Sequence, residues 1–363
     1  MNIKLVRDHF KPTQIPKSTG CVGLGAGGTL VEAQLPRRRI MSQYSLVVPS
    51  RRLFLRNSGT AVLSVALLAD REALAHSETV SQANLHDSAP TQFTEVGDAR
   101  LAYRRFGKEG APPLVCLQHF RGRMDNWDPI HTNRLAQDRP VVLVDYRGVG
   151  RSSGETPDSM QGMGRDIIDF IRALGAKQVD IFGFSIGGMV AQQIALDAPD
   201  LVRRLILAGT GPAGGEGMAA FSPQVQEILS RPNMTPLERG LALFFSPTAT
   251  SQAAGKAWIA RILARQVDRE PDASPQVAAA QLAALAKWGQ VTGERYGSLK
   301  DIPHRTLVVN GHNDIMVPTV NSFILQQKLP DARLMLFPDS GHGAHFQFAE
   351  EFAEAAARFL AAD

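Results

Sequence analysis

Three residues far apart in this chain are of the types that carry acyl-transfer chemistry. Ser185 sits in Gly183-Phe184-Ser185-Ile186-Gly187, a G-x-S-x-G pattern, directly after the run Val179-Asp180-Ile181-Phe182 and directly before a helical pattern. A serine on a sharp strand-to-helix turn presents its hydroxyl above a sheet. Glycines two residues to either side leave room for neighbouring backbone, and the helix start offers N–H groups to developing negative charge. A hydroxyl becomes a nucleophile only when a base takes its proton. His342, between Gly341 and Gly343 and past the last strand-like run, is the candidate; His345 competes, read as a surface or capping residue. The imidazole needs a carboxylate to orient it and to stabilise its protonated form. Asp314 fits, in the loop Gly311–Pro318 after a buried strand; Asp339 is the runner-up. The order Ser185, Asp314, His342 is the Ser…Asp…His order of this motif. The backbone N–H of Ile186 is the first expected oxyanion donor. The second should come from the loop Leu117-Gln118-His119-Phe120-Arg121-Gly122, which leads on to Trp127.

These residues need a scaffold, and the hydrophobic pattern supplies one. Strand-like segments fall near 91–96, 99–106, 113–118, 140–145, 178–182, 204–209, 305–310 and 333–337. Leu114-Val115-Cys116-Leu117, Val141-Val142-Leu143-Val144 and Thr306-Leu307-Val308-Val309 are near-continuous apolar runs, as strands buried on both faces require. The first two segments, joined at Gly97-Asp98, read as an antiparallel hairpin. Helical patterns near 158–174, 186–198, 319–329 and 347–361 alternate with the later strands, which predicts an α/β sheet, doubly wound, with helices on both faces. Between 212 and 300 no good strand occurs. Helical stretches at 223–230, 235–245, 252–267 and 275–289 read as a helical lid inserted into the core.

Composition limits the function classes. The chain has 363 residues, 44% hydrophobic and 20% charged, enough for a sizeable core. Two cysteines exclude a disulfide framework or a Cys-rich zinc module, and Cys116 reads as a buried small hydrophobe. The net charge of +4 belongs to the N-terminal segment: residues 1–75 hold 11 of 39 Lys and Arg but 4 of 35 Asp and Glu, leaving 28 basic and 31 acidic residues beyond. Nothing there suggests a nucleic-acid partner. Arg51-Arg52, the apolar stretch Gly59–Ala69 and Ala73-Leu74-Ala75 are similar to a twin-arginine export signal with its cleavage site. The expected organisation is an upstream extension over 1–40, with Met41 as the start, a signal over 41–75 and a flexible leader over 76–90. The protein would then be periplasmic or secreted, with the export machinery as a partner and no stable membrane anchor. Gly23, Gly25 and Gly28 match G-x-G-x-x-G but lack its strand and helix.

Together, the serine turn, the acid and the histidine resemble the α/β-hydrolase superfamily over about residues 91–362. The resemblance is to its lidded serine-hydrolase branch of esterases, cofactor-free haloperoxidase-like enzymes and carbon–carbon hydrolases. It implies an α/β-hydrolase fold with a mostly parallel eight-stranded sheet, a core over 91–211 and 301–363, and a lid over 212–300. Asp145, Arg147, Gly148, Gly150, Ser152 and Ser153 look like the family's D-x-R-G-x-G-x-S turn, a structural feature. Registering Gly122 and Trp127 on the family pattern puts Gln118 and His119 where the family has His-Gly, and makes the N–H of Phe120 the second oxyanion donor. His119 there is expected to be structural or pocket-lining. Trp127, Phe184, Phe244 and Phe245 are the candidate substrate contacts; Met218, Phe221, Leu243, Trp258 and Trp288 could join them or simply be core. The implied reaction is hydrolysis of a small-molecule carboxylic ester with no metal or organic cofactor. A perhydrolase-like activity and a non-catalytic binding protein are the alternatives.

Overall fold

The computed structural model describes residues 84–362. The expected extension, the export signal and the first part of the leader lie outside the described residues. In chain order the elements are α1 (Leu85–Ser88), β1 (Gln92–Val96), β2 (Ala99–Gly107), β3 (Leu114–Leu117), α2 (Pro129–Ala136), β4 (Pro140–Val144), α3 (Met160–Ala173), β5 (Val179–Phe184), α4 (Ile186–Asp197) and β6 (Val202–Ala208). Four helices follow without a strand: α5 (Pro223–Ser230), α6 (Pro236–Phe244), α7 (Ala249–Ile262) and α8 (Pro275–Trp288). The chain closes with β7 (Arg305–Gly311), α9 (Val320–Lys328), β8 (Ala332–Phe337), α10 (Ala344–Gln347) and α11 (Ala349–Ala361).

The eight strands form one sheet in the order β1-β2-β4-β3-β5-β6-β7-β8. β1, β2 and β4 pair antiparallel and all other neighbours pair parallel. The apolar runs end up where their composition requires: Leu114–Leu117 and Pro140–Val144 are buried at every position. Each face of the sheet carries its own core. One is built on Val142, Ile167, Ile181 and Ile194, the other on Leu143, Phe182, Ile206 and Phe352. Burying each such side chain contributes about 1.5–3 kcal/mol, which anchors the covering helices. Among the described residues no helix is long and apolar enough to cross a membrane.

A two-residue signal starts several helices. Asp128-Pro129, Ser222-Pro223, Thr235-Pro236 and Ser274-Pro275 each put an oxygen-bearing cap before a proline at the first helical position. The cap oxygen takes an orphan N–H, and proline's missing donor costs nothing there. α2 is a helix the hydrophobic pattern did not predict, because its inner face buries His131 and Thr132 beside Leu135. Two boundaries also differ from expectation. The cap at Thr248 starts α7 earlier, and α7 ends at Ile262 rather than 267. The expected leader is docked from residue 84 on: His86 is buried, and the Arg265 guanidinium donates to the carbonyls of His86, Asp87 and Ala89.

Candidate active site

β5 delivers Ser185 onto a turn with φ +57° and ψ −118°, a strained conformation for a residue with a side chain. Two glycines make it possible. A Cβ on Gly183 would collide with the carbonyl of Gly187, and one on Gly187 would collide with the carbonyl of Leu117 at the end of β3. Ser185 is held by its own N–H, which donates to Ala208 O at 2.9 Å, and it is 8% exposed. Ile186 begins α4, so its N–H has no intrahelical acceptor, and no side chain caps this helix.

Asp314 and His342 arrive on the loops that follow β7 and β8. Nδ1 of the buried His342 lies 2.8 Å from Asp314 Oδ2. The other oxygen of Asp314 accepts the N–H groups of Met316 at 2.8 Å and Val317 at 3.0 Å. The two loops are zipped together: His312 N–H donates to Phe337 O and Asn313 N–H to Ser340 O, both at 2.9 Å. Gly311 lies so close to the other loop that a Cβ would collide with the carbonyls of Ser340 and Gly341. The imidazole of His342 reaches the flank of the serine turn. Its ring centroid is 4.9 Å from that of Phe184, and a Cβ on Gly209 (φ +53°) would stand 3.1 Å from its Nδ1 and 3.0 Å from the Phe184 ring. Asp339, the runner-up, instead accepts from Thr248 Oγ1 at 2.8 Å.

The loop after β3 closes as a tight turn, with Gly122 N–H donating to His119 O at 2.8 Å. The N–H of Phe120 has no acceptor among the described residues, while its carbonyl lies 2.9 Å from His119 Nδ1. The imidazole at the family's glycine position is accommodated edge-on to Phe184 (5.4 Å) and Phe244 (5.1 Å). Burial pulls its pKa down to about 4. The helical segment after β6 grips this loop. Arg121 (φ +60°) donates its N–H to Gln281 Oε1 at 2.7 Å and its guanidinium to Ala273 O at 3.0 Å, and Arg123 donates to Glu270 O at 3.0 Å.

His345 corrects an expectation. It is neither surface nor cap but buried, with its ring 4.4 Å from Phe184 and 4.0 Å from Phe346. Burial first, then the nearby imidazoles of His131, His342 and His119, pushes it well below the ordinary histidine range. Of the candidate substrate contacts, Phe184 and Phe244 both flank His342, the latter at 5.3 Å. Phe245 packs on Trp258 at 5.8 Å, and Trp127 is fully enclosed against Phe182 at 4.8 Å, a core position.

The turn from Asp145 to Ser153 is a tie between strands. Asp145 accepts from Met124 N–H at 2.7 Å, Ser152 Oγ bridges Asp145 O and Ala102 N–H, and Ser153 Oγ accepts from Arg100 N–H. Beside it lies a buried charge cluster that the sequence did not disclose. Arg104 pairs with Asp125 at 2.6 Å and Glu270 at 3.3 Å, all three without side-chain exposure. Gln281 was missed as well; a lone glutamine within an Ala-rich helix carries no local signal of its distant partner. Among the described residues no group of three or more His, Cys, Asp or Glu side chains is arranged to hold a metal ion.

A family model described as the alpha/beta hydrolase fold matches residues 112–349. Among curated proteins, the pimeloyl-[acyl-carrier protein] methyl ester esterase of Nitrosomonas europaea is 29% identical over 244 residues, 66% of this chain and 92% of the relative. The 2-hydroxy-6-oxo-6-phenylhexa-2,4-dienoate hydrolase of Burkholderia cepacia is 26% identical over 295 residues, 76% of this chain and 98% of the relative. Among solved structures, an alpha/beta hydrolase fold protein from Chitinophaga pinensis is 40% identical with a TM-score of 0.73, covering 77% of this chain and 99% of its own.

Proposed function

This chain belongs to the α/β-hydrolase-fold family, and from that premise we propose that it is a serine hydrolase cleaving a carboxylic ester by acyl transfer to water. The observation that carries the reading is the bond from His342 Nδ1 to Asp314 Oδ2. A carboxylate only accepts, so the proton sits on Nδ1 and Nε2 keeps the lone pair a general base needs.

Ser185 attacks the carbonyl as His342 takes its proton. The N–H groups of Ile186 and Phe120 receive the oxyanion; in such sites one donor contributes about 2.7–4 kcal/mol to the transition state. His342 then protonates the leaving alcohol, and water activated by the same imidazole releases the acid. The cycle needs no metal or organic cofactor. Helices α5–α8 act as the lid, with Phe244 covering the imidazole. The ester class is supported by the printed activity of the Nitrosomonas relative. The site of action proposed is outside the cytoplasm, on the strength of Arg51, Arg52 and the Ala73-Leu74-Ala75 site; a cut after Ala75 would fall ahead of the described residues, which begin at 84. An N-terminus before residue 41 on the exported protein would exclude Met41 as the start.

The test of the catalytic reading is Ser185→Ala assayed on short p-nitrophenyl esters. The expected result is a loss of kcat on the order of 10⁴-fold or more with the fold retained. Activity at the wild-type level would overturn it.

A further inference from the structure

Three buried polar atoms around the oxyanion loop find no partner among the described residues: Nε2 of Gln118, of His119 and of Gln281. Buried side-chain groups are ordinarily paired, because leaving one unmatched costs about 1–3 kcal/mol. Gln118 and Gln281 are 1% and 0% exposed. Each has already committed its oxygen, Gln118 to the N–H of His119 at 2.9 Å and Gln281 to the N–H of Arg121 at 2.7 Å. What each has left is a donor.

His119 differs in kind. Its Nδ1 lies 2.9 Å from the carbonyl oxygen of Phe120, which can only accept. The proton is therefore on Nδ1, and the unmatched Nε2 carries a lone pair. Burial keeps the ring neutral near pH 7. His119 thus offers a buried acceptor, one residue from the N–H assigned to the oxyanion. Its ring is edge-on to Phe184 and Phe244, the same two rings that flank His342. An acceptor next in the chain to that N–H, and sharing both ring neighbours with His342, can be matched by a donor on the carbon next to the scissile carbonyl. A purely hydrocarbon acyl group would leave it unmatched.

We propose that His119 is a specificity residue selecting esters that carry a hydrogen-bond donor, a hydroxyl or an acylamino N–H, on the carbon adjacent to the scissile carbonyl. The inference rests on the serine-hydrolase reading above and narrows its substrate class.

Phenyl hydroxyacetate and phenyl methoxyacetate form the test pair. Both have an oxygen on the adjacent carbon, but only the first has a donor. For the wild-type protein kcat/KM should favour the hydroxy ester by about 10- to 100-fold, the value of one matched buried hydrogen bond. His119→Phe keeps a ring between Phe184 and Phe244 without the acceptor, and the ratio should fall to near one whatever happens to the two rates together. A wild-type ratio near one overturns the proposal, and so does an undiminished ratio in the variant. Should His119→Phe fail to fold, the wild-type ratio decides alone. Ser185→Ala separates the two levels. Equal hydrolysis of both esters that is lost in Ser185→Ala sinks the selectivity and leaves the serine chemistry standing. Rates unaffected by Ser185→Ala sink both.

Discussion

Asp314 meets His342 through one carboxylate oxygen, at 2.8 Å, while its other oxygen is already held by two backbone N–H groups. The carboxylate is fixed before it touches the imidazole, so it acts on the orientation and tautomer of the ring. Asp314→Asn would face Nδ1 with an amide and favour the proton on Nε2, the wrong nitrogen for a base. We expect kcat to fall about 10³–10⁴-fold with KM little changed, by the logic of triads in which the acid is neutralised. Asp339→Asn, which touches only the contact with Thr248, should keep near-wild-type kinetics. Steady-state rates on a p-nitrophenyl ester measure both.

Two glycines should respond in opposite directions. Gly187→Ala drives a methyl group into the carbonyl of Leu117, pushing the start of α4 away from the loop that carries Phe120. It should destabilise the fold by about 1–3 kcal/mol and reduce activity. Gly164 lies inside α3, where a Cβ would make ordinary contacts at 3.5 Å with Gln193 and Ile194. Gly164→Ala should stabilise by about 0.5–1 kcal/mol through the less flexible unfolded chain. Thermal denaturation of the two variants side by side checks the sign of each.

On the proposed mechanism Gln281 would act as a positioning residue: it holds the Arg121 N–H and would touch the reaction only through the loop that carries Phe120. Gln281→Leu leaves that N–H without its acceptor, at a cost of about 1–3 kcal/mol in stability. Because Phe120 is the preceding residue, kcat should drop more than KM rises. A change confined to Tm would show that the contact is merely structural.

Two sets of buried groups should give the pH dependence of stability opposite slopes. Burial lowers the pKa of His86 to about 3 and of His119 to about 4. The unfolded chain protonates these rings near pH 6.5, so below about 6.5 it binds more protons and stability declines towards pH 3–4. Asp145 gives the opposite slope. Burial, and then the charge of Glu270, hold its carboxyl well above the usual range. A Cβ on Gly150 would press against both carboxylates. The unfolded chain loses the Asp145 proton near pH 4 while the fold retains it, so stability declines as pH rises through the raised value. Asp145→Asn should remove the decline with rising pH and leave the one that follows from the histidines. Urea denaturation over about pH 5–9 reads it; an unchanged slope would refute the assignment to Asp145.

The strands were legible because fully buried strands must be apolar at consecutive positions, and Leu114–Leu117 and Val141–Val144 are. The serine turn was legible because its chemistry and its glycines are adjacent in the chain. α2 was not, since His131 and Thr132 occupy its buried face; the Asp128-Pro129 start signal was its only local trace. His345 was misread because a histidine two positions before the helical pattern at 347–361 looks like a cap, whereas a cluster drawn from Phe182, Phe184, Phe346 and Phe352 encloses it. In the Arg104–Asp125–Glu270 cluster Glu270 meets residues 166 and 145 positions before it, and one sequence carries no record of such pairings.

β8 is an edge strand, partly exposed over most of its length, with only β7 for a neighbour. The loop that carries His342 is its continuation. Edges open at lower free energy than the middle of a sheet, so peeling β8 from β7 would carry the imidazole off while β5 still held the hydroxyl. Warming should therefore silence turnover before the bulk of the secondary structure melts, and cooling should restore it without a complete refolding event.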